Sequence, residues 1–299
     1  MSEGQARKTC LITGANAGIG KEAAVQIAAA GYHVVLACRS PERGEAALRE
    51  VRERGRSDAV ELMIVDMSLQ KSIRRLAATF LATHRTLDVL IHNAAAFDYG
   101  QKRRTTTEEG VETIWATNHL GPVLLTTLLL DALKRSEEGR VITVSSKGLL
   151  LFPRLGVDLD DPEFERRKWT VSRAYYQSKL AQVIYTYWLA GQLEGTAVSV
   201  NCVRVTNVRI DVRRYPELSR LARLAYSIKS LFSISASRMA NTYAYLATVP
   251  ELRGVSGQCF DENNREVRTN RRTYDLEHVR GVMDLTTRYI GEDLQVSAT

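Results

Sequence analysis

What most constrains this chain is its rhythm: short apolar bursts alternate with longer amphipathic stretches along most of its length. Strands are expected at Thr9–Thr13, His33–Ala37, Ala59–Val65, Leu87–Ile91, Val141–Ser145 and Ala197–Arg204, with a last short one at Gly257–Phe260. Between them the spacing predicts helices over Ile19–Ala30, Pro41–Arg54, Ile73–Thr83, Glu108–Arg135 and Val171–Leu193, and a closing helix over Tyr274–Ile290. The bursts are runs of Val, Ile and Leu rather than strict alternations, as expected of strands buried on both faces. Alternating strand and helix implies parallel strands with crossover helices, an α/β doubly wound sheet. Gly31 stops the first helix, and Pro41 suits a first helical turn, where its missing N–H removes a donor that would be unpaired anyway.

No Pro- or Ser-rich linker and no internal repeat interrupts the series, so residues 1–299 read as one domain. The exception to the rhythm is Val205–Asn241, long, basic and aliphatic, which we read as a lid (residues 205–241) over the carboxyl edge of the sheet. Within it, Glu217–Phe232 carries Leu218, Leu221, Leu224, Ala225, Ile228, Leu231 and Phe232 at helical spacing, interleaved with Arg220, Arg223 and Lys229. Such a stripe commonly packs on its own domain. It also suits a mobile cover whose apolar face lines a lipophilic pocket and whose basic face meets anionic headgroups.

Hydrophobic residues at 44% and charged residues at 25% exclude wholesale disorder and collagen-like repeats. No run of about 18 apolar residues is present, so no membrane-spanning helix is expected, and Met1–Lys8 lacks the apolar core of a secretory signal. Lys and Arg total 41 against 34 Asp and Glu, a net charge of +7. The Arg residues are dispersed, without a dense basic block interleaved with aromatics, which disfavours nucleic acid as a partner. Cys10, Cys38, Cys202 and Cys259 are far apart, in or beside expected strands. Buried free thiols in a reducing, cytoplasmic compartment account for them better than a metal site, for which the ligands would have to cluster.

The first strand runs into Thr13-Gly14-Ala15-Asn16-Ala17-Gly18-Ile19-Gly20. Glycine permits the backbone angles of an abrupt strand-to-helix turn and lets a pyrophosphate approach the helix N-terminus without meeting a Cβ. The second strand ends in Ala37-Cys38-Arg39-Ser40, with no acid before Glu42. An acid near this point would bind a ribose 2′-hydroxyl, whereas Arg39 suits a 2′-phosphate, so NADP is expected in preference to NAD. Asp66, ending the third strand, either accepts from the adenine amino group or, like Ser68, caps the next helix. Further along lie Asn118, the pair Ser145-Ser146, and Tyr175 four residues before Lys179. Positions i and i+4 share one helical face, so a cation at Lys179 would favour the phenolate of Tyr175 and suit it to acid/base work.

Together these motifs resemble the short-chain dehydrogenase/reductase family. Thr-Gly-x-x-x-Gly-x-Gly, Asn118, the serine after the fifth strand and Tyr-x-x-x-Lys occur in family order over roughly residues 8–290. Ala37-Cys38-Arg39, Arg140–Ser146, Tyr175-x-Gln177-Ser178-Lys179-Leu180-Ala181 and the long insertion between Ser146 and Tyr175 are similar to the retinol dehydrogenase-like subgroup. The resemblance implies a Rossmann-type fold, an NADP-dependent oxidoreductase acting on a lipophilic alcohol or carbonyl compound, and a cofactor site of Gly14, Asn16, Gly18, Ile19, Gly20, Arg39, Asp66, Asn93, Tyr175 and Lys179. It implies that Tyr175 exchanges a proton with the substrate oxygen, that Lys179 holds the nicotinamide ribose, that Ser146 hydrogen-bonds the reacting oxygen, and that Asn118 positions a water linking Lys179 to solvent. No metal is required, and a homo-oligomer paired through the two long helices is a family-based expectation.

Three stretches depart from the family pattern. His92-Asn93-Ala94-Ala95 stands where the family has Asn-Asn-Ala-Gly, so Ala95 is tolerable only at negative φ. Val205-Thr206 replaces a Pro-Gly pair, and Ile210 replaces a Thr or Ser that contacts the carboxamide. The Val205-Thr206 and Ile210 changes favour the competing reading, a catalytically weak NADP-binding sensor or scaffold. The intact Asn118, Ser146, Tyr175 and Lys179 favour the enzyme.

Overall fold

The computed structural model describes residues 7–98, 100–209, 233–292 and 294. Seven parallel strands form one sheet in the order β3-β2-β1-β4-β5-β6-β7. They are β1 (Thr9–Thr13), β2 (His33–Cys38), β3 (Val60–Ile64), β4 (Val89–Ile91), β5 (Gly139–Ser146), β6 (Val198–Val205) and β7 (Gln258–Phe260). Side chains alternate between two packed layers. Leu11, Val35, Leu90 and Val141 face α3 (Gln70–Thr83), α5 (Gly121–Lys134), α6 (Val171–Gln192) and α8 (Leu276–Ile290). Cys10, Ile12, Val34, Leu36 and Ile142 face α1 (Gly18–Ala29), α2 (Pro41–Gly55) and α7 (Ala236–Thr248). Burial on both faces explains the unbroken apolar runs and all four buried, free cysteines. No helix among the described residues is long and apolar enough to cross a membrane.

The long helix expected over Glu108–Arg135 is shorter and broken. Residues 106 and 112 form an antiparallel bridge around a turn in which Gly110 has φ +82°. Glu112 then caps the helix, its carboxylate accepting from the Trp115 amide at 2.7 Å. α4 (Thr113–Trp115) passes into a single π-turn, Ala116–Leu120, before α5 begins. Such π-turns often mark functional positions, and this one carries Asn118.

The segment expected as a lid is partly core. Val205 ends β6, and Ala236–Asn241 opens α7, where Met239 and Ala240 are fully buried. That helix was not foreseen, although its buried residues Met239, Ala240, Tyr243, Leu246 and Ala247 recur at helical spacing. Val208 and Ile234 bridge in parallel, with Arg209 N–H donating to Ile234 O at 2.9 Å and Ile234 N–H to Asn207 O at 3.0 Å. The two ends of the segment therefore meet at the carboxyl edge of the sheet. The expected amphipathic helix Glu217–Phe232 and Ile210 lie outside the described residues.

Two buried histidines tie this frame together. His92 Nε2 lies 2.7 Å from Thr126 Oγ1, and His119 Nε2 lies 2.7 Å from Thr286 Oγ1. Each threonine hydroxyl donates to the carbonyl four residues back, so it accepts from the imidazole and fixes the Nε2–H tautomer. Burial is the main cause that holds both imidazoles down to pKa values of about 3, from an ordinary value of 6.5. In the unfolded chain they take protons near pH 6.5, and in the folded chain only near 3. The unfolded state thus binds more protons between these values. Stability is full above pH 6.5 and falls as the pH drops, by about 1.4 kcal/mol per pH unit for each imidazole once well below 6.5. Urea titrations at a series of acid pH values should show this slope, and His119→Phe should reduce it by about one imidazole's share.

Candidate functional site

The glycine turn opens at the carboxyl end of β1. Gly14 and Gly18 have φ of +66° and +59°, and a Cβ on Gly14 would lie 2.9 Å from Ala94 Cα. Both the angle and the space therefore demand glycine. At Gly20 an added Cβ would overlap the Asn93 amide. That amide donates to Thr13 O at 3.0 Å and Gly14 O at 3.1 Å, and Tyr243 hydroxyl donates to its oxygen at 3.4 Å. Asn93 thus locks the end of β4 to the glycine turn. Thr13, which opens the glycine motif, adds a second lock: its hydroxyl donates to Ile91 O at 3.3 Å and accepts from Ala94 N–H at 3.0 Å.

α1 begins at Ala17 without a side-chain cap and without an acid in its first turn. By contrast, α2, α6, α7 and α8 are capped by Ser40, Thr170, Ser235 and Asp275, and α3 by the Glu109 carboxylate on Gln70 N–H (2.8 Å) and Lys71 N–H (3.1 Å). The uncapped amides of α1 suit an anion. They adjoin a cleft of about 740 Å³ lined by Gly14, Asn16, Arg39, Asp66 and Asn93, and by the strip Ala94–Asp98. Ile19, the other expected contact, sits in the first turn of α1 and packs against the core.

At the far end of the cleft Arg39 is 78% exposed, with Nη1 3.9 Å from Asp66 Oδ2. Arg43 lines the same cleft and was not singled out from the sequence, although it lies one helical turn past Arg39. Asp66 does not cap α3, and neither does Ser68. Asp66 Oδ1 accepts from Ser68 N–H (2.9 Å) and Ser68 hydroxyl (2.7 Å), which leaves Oδ2 towards the cleft. Ala95 is not among the described residues with positive φ, so its methyl is accommodated without backbone strain.

Asn118 is 1% exposed and clamps this strip. Its oxygen accepts from Ala96 N–H at 2.7 Å, and its amide donates to Ala96 O at 3.1 Å and Ser178 Oγ at 3.1 Å. Ser178, not foreseen as a participant, donates in turn to Tyr175 O at 2.8 Å. The side chain of Asn118 is therefore engaged in joining the cleft wall to α6.

Tyr175 and Lys179 share a face of α6, with Lys179 Nζ 5.7 Å from the Tyr175 ring centroid. Lys179 is 2% exposed, and burial lowers its pKa to about 8. Its three N–H donors meet one acceptor among the described residues, Val144 O at 2.8 Å, so hydrogen-bonding capacity remains for hydroxyls of a ligand. Ser146 ends β5 beside Val205 and accepts from Gly148 N–H at 3.2 Å. Phe97 packs on Tyr175 with centroids 4.4 Å apart. Tyr176 packs on Phe152 at 4.8 Å and meets the Tyr175 ring edge-on at 5.3 Å. The uncapped helix, the glycine turn and the under-bonded Lys179 all fit a dinucleotide lying across the strand ends.

A family model described as short chain dehydrogenase matches residues 8–152. Human retinol dehydrogenase 13 is 37% identical over 257 residues, covering 85% of this chain and 76% of that protein. Human retinol dehydrogenase 14 is 36% identical over 273 residues, covering 87% and 79%. The crystal structure of an uncharacterised protein from Mycobacterium paratuberculosis superposes with a TM-score of 0.73 at 27% identity, covering 97% of this chain and 96% of that one.

The Asn118 clamp yields a direct test. Asn118→Asp sets a carboxylate oxygen against Ala96 O where an N–H now donates. Urea unfolding should show a loss on the order of 2–3 kcal/mol, because a buried carbonyl loses its partner and gains a repulsive neighbour.

Proposed function

The chain belongs to the short-chain dehydrogenase/reductase family, an oxidoreductase family that uses a nicotinamide cofactor, and from that premise we propose that it interconverts a lipophilic alcohol and its carbonyl counterpart with NADP. The observation that carries the reading is Lys179, buried and short of acceptors among the described residues, beside the half-buried Tyr175, whose ring packs on Phe97 of the cleft wall.

The cofactor, when bound, supplies or takes up the hydride. The chain's own groups manage the oxygen and its proton. The Tyr175 hydroxyl gives a proton to a carbonyl oxygen during reduction and takes one from an alcohol during oxidation. Lys179, on the same helical face, favours the phenolate and holds ribose hydroxyls with its unused donors. Ser146 Oγ accepts from Gly148 N–H, which leaves its own proton for the substrate oxygen. Asn118 keeps the Ala96 strip and the Tyr175 turn in register.

Arg39 supports NADP over NAD. It lies at the end of β2, where an acid would otherwise meet a ribose 2′-hydroxyl, and Arg43 adds a second cation to the same cleft. The surroundings of Ser146 support a lipophilic substrate. The turn that follows it exposes Leu150 (55%) and Leu151 (77%), and Phe97, Tyr176 and Phe152 extend an aromatic rim around Tyr175. Four buried free thiols fit a reducing compartment.

Two expected outcomes test the assignment. Tyr175→Phe should lower turnover of a long-chain aldehyde with NADPH by about 10²–10⁴-fold while dinucleotide affinity, read by fluorescence titration, stays nearly constant. Retained activity in that variant, together with loss in Tyr176→Phe, would move the acid/base role. For cofactor choice, unmodified protein should bind NADPH more tightly than NADH, and Arg39→Asp should invert the order, since a carboxylate repels the 2′-phosphate and accepts from a 2′-hydroxyl. Equal affinities in the unmodified protein would refute the NADP preference.

A further inference from the structure

At the amino edge of the sheet, opposite the cleft, three side chains converge that no part of the oxidoreductase reading uses. His33 is the first residue of β2, and Glu61 lies on the edge strand β3. Val35 pairs with Glu61, so His33 and Glu61 are diagonal neighbours on one sheet face. α3 covers that face, and its C-cap residue is His84. His84 stacks on Phe80 with centroids 4.5 Å apart and planes at 12°, and its ring lies 5.3 Å from that of His33.

The donor atoms point at one another. Glu61 Oε1 is 3.3 Å from His33 Nε2 and 3.1 Å from His84 Nε2, and one ligand atom from each of the three residues lies within 4.8 Å of the others. Glu61 Oε1 and His33 Nε2 are shielded from solvent and have no hydrogen-bond partner. The Thr83 hydroxyl lies 2.8 Å from His84 Nδ1 and holds that ring with Nε2 facing the carboxylate. A cation between the two imidazoles and the carboxylate would take up the lone pairs that have no partner here.

We propose that His33, Glu61 and His84 form a site for a divalent transition ion of the zinc class, separate from the dinucleotide cleft. Two imidazoles and one carboxylate are a zinc donor set, and ordinary zinc–ligand lengths in a tetrahedron place donors about 3.3 Å apart. The two nitrogen–oxygen separations already match this edge. The third closes by small rotations of half-buried side chains, and water completes the shell from the exposed side. The Thr83 bond to His84 is the outer contact that aims a metal-binding imidazole. An ion here would pin the edge strand β3 to β2 and to the end of α3.

Tag-free, chelator-stripped protein titrated with Co²⁺ tests the proposal. The expected result is a visible absorption band of tetrahedral cobalt that saturates at one equivalent, is displaced by Zn²⁺ and lacks thiolate-to-metal absorption in the near ultraviolet. His33→Gln and His84→Gln should each weaken binding more than about tenfold and abolish the rise in Tm that Zn²⁺ gives the unmodified protein. Circular dichroism checks that both variants fold. Should either fail to fold, the spectrum of the unmodified protein decides alone. Absence of a visible band would overturn the proposal. Thiolate absorption, or a band unchanged in both folded variants, would overturn it equally.

Discussion

The carboxyl edge of the sheet depends on one buried amide. Asn118 exchanges two hydrogen bonds with the backbone of Ala96 and gives a third to Ser178, which is bonded to the carbonyl of Tyr175. Three separate pieces of chain are held by this group: the strip after β4, the π-turn before α5 and the first turns of α6. An amide can do this because it offers an acceptor and two donors in one plane; neither a carboxylate nor a hydroxyl supplies that set. The π-turn has a clear use in this light, since one extra residue in the helical turn re-aims a side chain without ending the helix.

The architecture was legible because burial on both faces writes strands as continuous apolar runs. Every expected strand is present, with ends shifted by a residue or two where β4 starts at Val89 and β5 at Gly139. The helices were less legible where tertiary contacts override local pattern. Glu108–Glu112 looks helical by composition, yet Gly110 and the bridge between Thr106 and Glu112 hold it as a turn. Ala236–Thr248 was not foreseen although Met239, Ala240, Tyr243, Leu246 and Ala247 recur at helical spacing, and its face meets α1 closely enough to leave Met239 and Tyr243 without exposure.

Within the candidate site, glycine spacing and the Tyr175–Lys179 interval were readable because each demands a residue type at a fixed distance. The supporting bonds were not. Thr13 and Ser178 stand within these motifs, but only the fold brings Ile91, Ala94 and Asn118 to their hydroxyls, as it brings Arg43 to the cleft. The same holds at the amino edge, where residues 33, 61 and 84 carry no motif and meet through strand register and the end of a helix. Asp66 illustrates a third case. Its position at a strand end allowed either a cap or a ligand contact, and the carboxylate of Glu109, far along the chain, took the capping role.

The bridge between Val208 and Ile234 has a consequence for how such proteins diverge. Both ends of the intervening stretch are fixed to each other by backbone hydrogen bonds, and loop-closure entropy rises only slowly with length. An insertion or deletion between these two ends costs little in closure entropy and leaves β6 and α7 in place, so relatives can differ in length here while the edge of the sheet stays the same.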